Sequence, residues 1–140
     1  MGAAVPMHSS NIMSTLPKIP EGYTSVTPYL VPADAEKLIA FVKKVFQAEE
    51  AMRHLRPDGT IQHAEVRIGN AIVMLGQANE QWGARPGTLF VYVADVDATY
   101  RAALAAGAKP LREPENQPYG RSAGFEDPCG NQWWPTTHLG

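Results

Sequence analysis

Apolar and polar positions follow two periods along this chain, and the two periods recur in the same order. The run Thr88–Val93 is β-branched and aromatic, as a pleated, half-buried strand prefers. It leads through Ala94-Asp95 into Val96, Tyr100, Ala103 and Leu104, whose spacing predicts one apolar helix face. Asp95 or Asp97 can cap that helix by accepting from its first free N–H groups, and Gly107 stands where a left-handed terminal residue belongs. Earlier, Thr27-Pro-Tyr-Leu-Val-Pro-Ala-Asp34 again runs a strand into Ala-Asp. Leu38, Phe41, Val42, Val45 and Phe46 then give the helix face. Gly69-Asn70 and Gly130-Asn131 each precede a last apolar strand, so the second halves match too. Two copies imply two equivalent modules, since a solenoid needs three or more repeats.

The remaining elements follow from local pattern. The first strand is expected over Thr24–Val31, with Pro28 favouring an edge position, and the first helix over Asp34–Gln47. Glu49–Leu55 reads as a strand and Pro57-Asp58-Gly59 as a turn. Thr60–Ile68 alternates, with His63, Glu65 and Arg67 on one face and Ala64, Val66 and Ile68 on the other. Gly69-Asn70 turns this strand into Ala71–Leu75 as a hairpin. Gly76–Gly87, which contains Trp82, is a loop joining the copies. Lys109–Glu113 reads as a short strand, Pro114–Gly120 as a loop, Arg121–Glu126 and Gln132–Thr137 as strands around the turn Asp127–Asn131. The fold class is α+β, with paired βαβββ modules whose sheets curl into a cleft. Residues 1–22, with Pro6, Pro17 and Pro20, read as a leader; an ordered leader needs something to pack on, such as a second subunit. Residues 23–140 form one domain of two modules, about 23–80 and 86–138.

Composition narrows the function classes. A chain of 140 residues supports one real core. A net charge of −2 without charge blocks gives no electrostatic footprint for nucleic acid or an anionic membrane. The single cysteine, Cys129, excludes an intrachain disulfide and fits a reducing compartment. No apolar run approaches a membrane span, and no charged n-region precedes an apolar h-region. A cytoplasmic location is therefore expected. There is no P-loop lysine, no dinucleotide-binding glycine pattern and no nucleophile elbow.

The repeated strand–Ala-Asp–helix unit, together with Asp127-Pro128-Cys129-Gly130-Asn131, resembles the vicinal oxygen chelate superfamily, the glyoxalase and bleomycin-resistance family. Gln62-His63-Ala64-Glu65-Val66-Arg67-Ile68-Gly69-Asn70 and the approach Tyr119-Gly120-Arg121 to Asp127-Pro128 look like its PhnB-like subgroup. The resemblance spans roughly residues 24–138. It implies paired βαβββ modules, a cleft lined by the sheets, a homodimer and, in many members, one divalent metal held by His, Gln or Glu. Carried over by position, those ligand places fall on Thr27 and Thr88, on Trp134, and on Val73 or Met74. Hydroxyl, indole, alkyl and thioether groups are poor donors for such a metal. The expectation is no metal at the family position and no cofactor.

Strand parity places Thr27, Tyr29, Thr88, Phe90, Tyr92 and Trp134 as cleft liners, though aromatic strand residues also fill cores. Tyr119, Arg121 and Trp82 are candidates to close over a ligand. His63 and Glu65 can act as a catalytic pair or as a hydrogen-bonded structural pair completed by Arg67. Two readings stay open. One is a metal-free binding protein that sequesters a small organic ligand in an aromatic cleft. The other is a glyoxalase-like lyase, isomerase or dioxygenase with a metal recruited by His63 and Glu65, for which Lewis-acid chemistry needs about three protein ligands.

Overall fold

The computed structural model describes residues 17–140. Most of the expected leader, and His8 with it, lies outside the described residues. The elements run β1 (Tyr29–Leu30), α1 (Ala35–Phe46), β2 (Glu49–Leu55), β3 (Ile61–Ile68), β4 (Ala71–Leu75), β5 (Thr88–Tyr92), α2 (Val96–Ala105), β6 (Lys109–Gln117), β7 (Gly120–Glu126) and β8 (Gln132–Thr137). They build two four-stranded sheets of identical plan, β1-β4-β3-β2 and β5-β8-β7-β6. In each, the first strand lies parallel to the last and the other pairs are antiparallel. This is the α+β fold of paired βαβββ modules.

The repeated Ala-Asp is a pair of helix caps. The side chain of Asp34 accepts from the Lys37 N–H at 3.1 Å and that of Asp95 from the Ala98 N–H at 3.2 Å. Each cap satisfies one of the free donors of the first turn. Gly107, just past α2, has φ +100°, as expected of a left-handed terminal residue.

Two strands depart from expectation, both through proline. The first strand is only Tyr29–Leu30, against the expected Thr24–Val31. Pro28 cannot donate to the ladder, although its carbonyl accepts from Met74, and Pro32 closes the other end. β5 has no proline and pairs over its full length with β8. The converse holds for β6, which continues through Pro114 to Gln117, where a loop was expected. It is an edge strand paired only with β7, and register shifts on either side of Arg112 absorb Pro110 and Pro114.

One apolar core joins both modules. Leu38, Ile39, Phe41, Val42 and Val45 of α1 share it with Ile61, Ala64, Val66, Val73 and Leu75 of the first sheet. Val96, Tyr100 and Ala103 of α2 and Ala123, Phe125 and Trp133 of the second sheet complete it. Phe46 stands 4.9 Å from Trp133 and 6.1 Å from Phe125, ring centre to ring centre. The helices therefore pack on the inner face of each sheet and leave the other face free.

The turn Asp127–Asn131 is structural. The buried Asp127 carboxylate accepts from the Cys129 and Asn131 N–H groups at 2.7 and 3.0 Å, from Asn131 Nδ2 at 3.0 Å and from Trp133 Nε1 at 2.7 Å. Asn131 Oδ1 in turn accepts from the Gly87 N–H at 2.8 Å and ties the inter-module loop to β8. Burial and the nearby Asp127 push the Cys129 thiol up, which disfavours a nucleophilic thiolate.

Candidate functional site

On the second sheet, register sorts the aromatic residues by face. Thr88 pairs with Gln132, Phe90 with Trp134 and Tyr92 with Thr136, and these side chains point away from the helices. Trp133, on the opposite parity, is fully buried in the core. The Trp134 ring lies on Gly124, where an added Cβ would stand 2.3 Å from Cζ3. Glycine thus lets the indole lie flat against the backbone of β7. Phe90 packs 5.3 Å from Tyr92 and 6.1 Å from Tyr119. Phe90, Tyr92 and Tyr119 are 51%, 64% and 48% exposed, so the platform is open rather than filled core.

Arg112 crosses this platform. Its guanidinium carbon is 5.1 Å from the centre of the Trp134 ring, within cation–π range. Its Nη2 donates to the Tyr119 hydroxyl at 3.3 Å, and its buried Nε has no partner among the described residues. Hydrogen bonds from Arg112 and Ser122 hold the Tyr119 hydroxyl below its usual range.

On the first sheet, Tyr29 pairs with Met74 and Met74 with Glu65, and all three share the helix-free face. His63 Nε2 is 2.8 Å from Glu65 Oε2, and His63 Nδ1 is 3.2 Å from the Tyr29 hydroxyl. The Tyr23 hydroxyl donates to Glu65 Oε1. Burial alone pushes the Glu65 carboxyl up, but the hydrogen bonds from Tyr23 and His63 outweigh it and hold the group below its usual range. The same carboxylate raises the Tyr23 hydroxyl. A cavity of about 500 Å³ separates residues 17–27 from the sheet, with Tyr23, Thr27, Glu65 and Met74 in its wall. Tyr23, the first residue past the expected leader, thus meets its own module.

The expected liners divide into three groups. Thr88, Phe90, Tyr92, Tyr119 and Trp134 stand together on the second sheet, and Thr27, Tyr29, His63 and Glu65 on the first. Arg121 joins neither: its Nε and Nη2 donate to Asp97 at 3.0 and 3.1 Å, which fixes it beside the start of α2. Arg67 does not complete the His63–Glu65 pair; Tyr23 takes that place. Sequence reasoning missed Arg112, Gly124 and Tyr23. Arg112 falls within the expected strand Lys109–Glu113, but the register shifts on either side of it, which decide its face, have no local signal, and Tyr23 meets Glu65 across 42 positions.

The residues present do not fit the metal that the fold family implies. Both nitrogens of His63 and both oxygens of Glu65 are already engaged. Among the described residues no three His, Cys, Asp or Glu side chains converge. A catalytic metal takes about three protein ligands and an open position. The family ligand places hold Thr27, Met74, Thr88 and Trp134, none of them a strong donor for it.

Residues 24–134 match the model of the Glyoxalase/Bleomycin resistance protein/Dioxygenase superfamily. An uncharacterized protein of Mycobacterium tuberculosis strain H37Rv is 36% identical over 121 residues, covering 78% of this chain and 71% of that protein. Among solved structures, TioX from Micromonospora sp. ML1 superposes with a TM-score of 0.70 at 28% identity, over 83% of this chain and 99% of that one. TnmS3, an antibiotic binding protein from Streptomyces sp. CB03234, shares the fold with a TM-score of 0.64 at 20% identity, over 83% and 99% of the two chains. A PhnB protein from Bacillus cereus, described as a putative 3-demethylubiquinone-9 3-methyltransferase, gives 0.66 at 20% identity, over 81% and 99%.

Proposed function

The chain belongs to the Glyoxalase/Bleomycin resistance protein/Dioxygenase superfamily, and from that premise we propose that it is a metal-free small-molecule binding protein. Its ligand is a flat organic molecule held on the aromatic face of the second sheet. The observation that carries this reading is the platform itself. Trp134 lies flat on Gly124, Arg112 crosses the ring, and Phe90, Tyr92 and Tyr119 stand open beside it. Flat rings offer stacking area at low conformational cost, and the Arg112 guanidinium, stacked on Trp134 and donating to the Tyr119 hydroxyl, fixes the platform in place. That TnmS3 binds an antibiotic on the same fold makes this use of the scaffold physically reasonable.

The binding site is completed in a homodimer, in which the first sheet of one subunit faces the second sheet of its partner. No helix among the described residues is long and apolar enough to cross a membrane. The single cysteine fits the reducing cytoplasm as its place of work. Among the described residues the catalytic alternative lacks a third donor beside His63 and Glu65.

The test is fluorescence titration with a neutral anthraquinone, in the presence and absence of EDTA. Wild type should bind, W134A should lose at least about tenfold in affinity, as loss of a central aromatic anchor does, and EDTA should change nothing. Near-stoichiometric bound divalent metal, with binding abolished by its removal, would overturn the proposal.

A further inference from the structure

We propose that the end of the first sheet carries a second, separate ligand site, built for a planar aromatic carboxylate. It is a cavity of about 530 Å³ lined by Tyr29, Arg56, Gln62, Gln77, Asn79 and Trp82, among others. That volume lies in the range of roughly 300–1,000 Å³ typical of small-molecule sites. It shares no lining residue with the Trp134 platform.

Charge selects an anion. Arg56 is the one ionised group among the lining residues; the rest of the polar lining is amide and phenol. Neutral acceptors hold its guanidinium: Nη1 donates to Thr60 Oγ1 at 3.1 Å and Nη2 to the Gln77 carbonyl at 2.8 Å. Arg56 has no carboxylate partner among the described residues. The nearest acid on its turn, Asp58, is occupied by the Thr60 N–H and hydroxyl at 2.9 and 2.7 Å. Asp58 stands near enough to feel the guanidinium's charge but does not bond to it, and a fixed guanidinium with no carboxylate bonded to it can take a planar carboxylate.

Shape selects a flat ring. Trp82 is 64% exposed, yet its backbone is pinned, with its N–H on Asn79 Oδ1 at 2.6 Å and its carbonyl on the Asn79 N–H at 2.8 Å. Tyr29 faces the same space, and its hydroxyl is steadied by His63. Between them Gly76 keeps the wall low, because a Cβ there would stand 2.6 Å from the Gln62 carbonyl oxygen and 3.0 Å from the Tyr29 hydroxyl. The register shift between His54 and Leu55 leaves Gln62 without an opposite residue and turns it toward the cavity.

The probes are 2-naphthoate and its neutral analogue 2-naphthamide, titrated by calorimetry against the full chain. The acid should bind more tightly than the amide, and more weakly as salt rises. R56Q should weaken the acid about tenfold, as loss of a charge-assisted pair does, and leave the amide unchanged. W82A, at an exposed position that leaves the core intact, should weaken both, while W134A leaves naphthoate binding in place. Should R56Q fail to fold, the acid-against-amide difference on the wild type decides the charge requirement. Equal binding of acid and amide, no binding at millimolar naphthoate, or loss in W134A in place of W82A would each overturn the site. Loss in W134A would mean that this cavity and the platform form one cleft in the homodimer; the other outcomes leave the anthraquinone test of the second sheet untouched.

Discussion

Trp134 and Gly124 are a matched pair: the indole occupies the space that any side chain at 124 would need, down to 2.3 Å from an added Cβ. Gly124 lies in a plain strand, so this glycine serves close approach and not backbone conformation. G124A should therefore displace Trp134, cost about 1–3 kcal/mol as overpacking does, and weaken ligand binding on the platform. In a W134A background the same change should cost much less, because the clash is gone. Equal costs in the two backgrounds, read from denaturant melts, would show that the ring does not rest on Gly124.

Trp133 and Trp134 are neighbours with opposite fates. Trp133 is fully buried among Phe46 and Phe125 and donates to the buried Asp127. W133A should cost about 3–5 kcal/mol, with a further loss from one of the four hydrogen bonds to the buried Asp127 carboxylate. W134A should cost clearly less and act on binding. Reversed stability losses would sink the face assignment.

Much of this was legible in the chain. Alternation alone separates Trp133 from Trp134, and the repeated Ala-Asp marks both helix starts, since capping is a local demand. Proline misled twice. Both strands are edges, so edge position does not separate them: Pro28 and Pro32 bracket β1 and leave two residues to pair, while β6 absorbs Pro110 and Pro114 with register shifts, which are a property of the pairing and not of the local sequence. The non-local pairings stayed hidden. Arg121, adjacent to Tyr119 and Gly120, looked like a cleft residue, but Asp97 holds it at the start of α2. Tyr23 carries no local signal of a role, and it donates to Glu65.

The Glu65 cluster makes a prediction about acid stability. Its carboxyl is held below the ordinary value of 4.5 in the folded protein, by Tyr23 and His63 acting against burial, with His54 adding to the lowering. A depressed carboxyl contributes stability that is complete above the unfolded value and is lost as pH falls through the folded one. Glu50 and Asp97, held low by Arg53 and Arg121, share the wild-type acid slope. E65Q should flatten that slope below pH 4.5 and leave the shares of Glu50 and Asp97 in place. An unchanged slope in urea melts across that window would show that Glu65 is not a linked group.

The helix-free faces should be closed by a second copy of the chain. Phe90, Tyr92 and Tyr119 on the second sheet and Tyr29 and Met52 on the first are all large and exposed, on two separate surfaces of one chain. A lone protomer would leave both aromatic surfaces wet, which soluble monomers rarely tolerate as contiguous patches. A two-fold axis that sets the first sheet of one subunit against the second sheet of its partner covers both at once, and the operation repeats the contact twice. Such an interface should bury about 1,200–2,000 Å² in total, the range of stable complexes. Light scattering at micromolar concentration should give twice the chain mass. Y92E places a charge on the most exposed of the platform rings, so it should shift the protein to monomer without unfolding it. A wild-type monomer in that measurement, or a Y92E protein that stays dimeric, would place the subunit contact elsewhere or remove it.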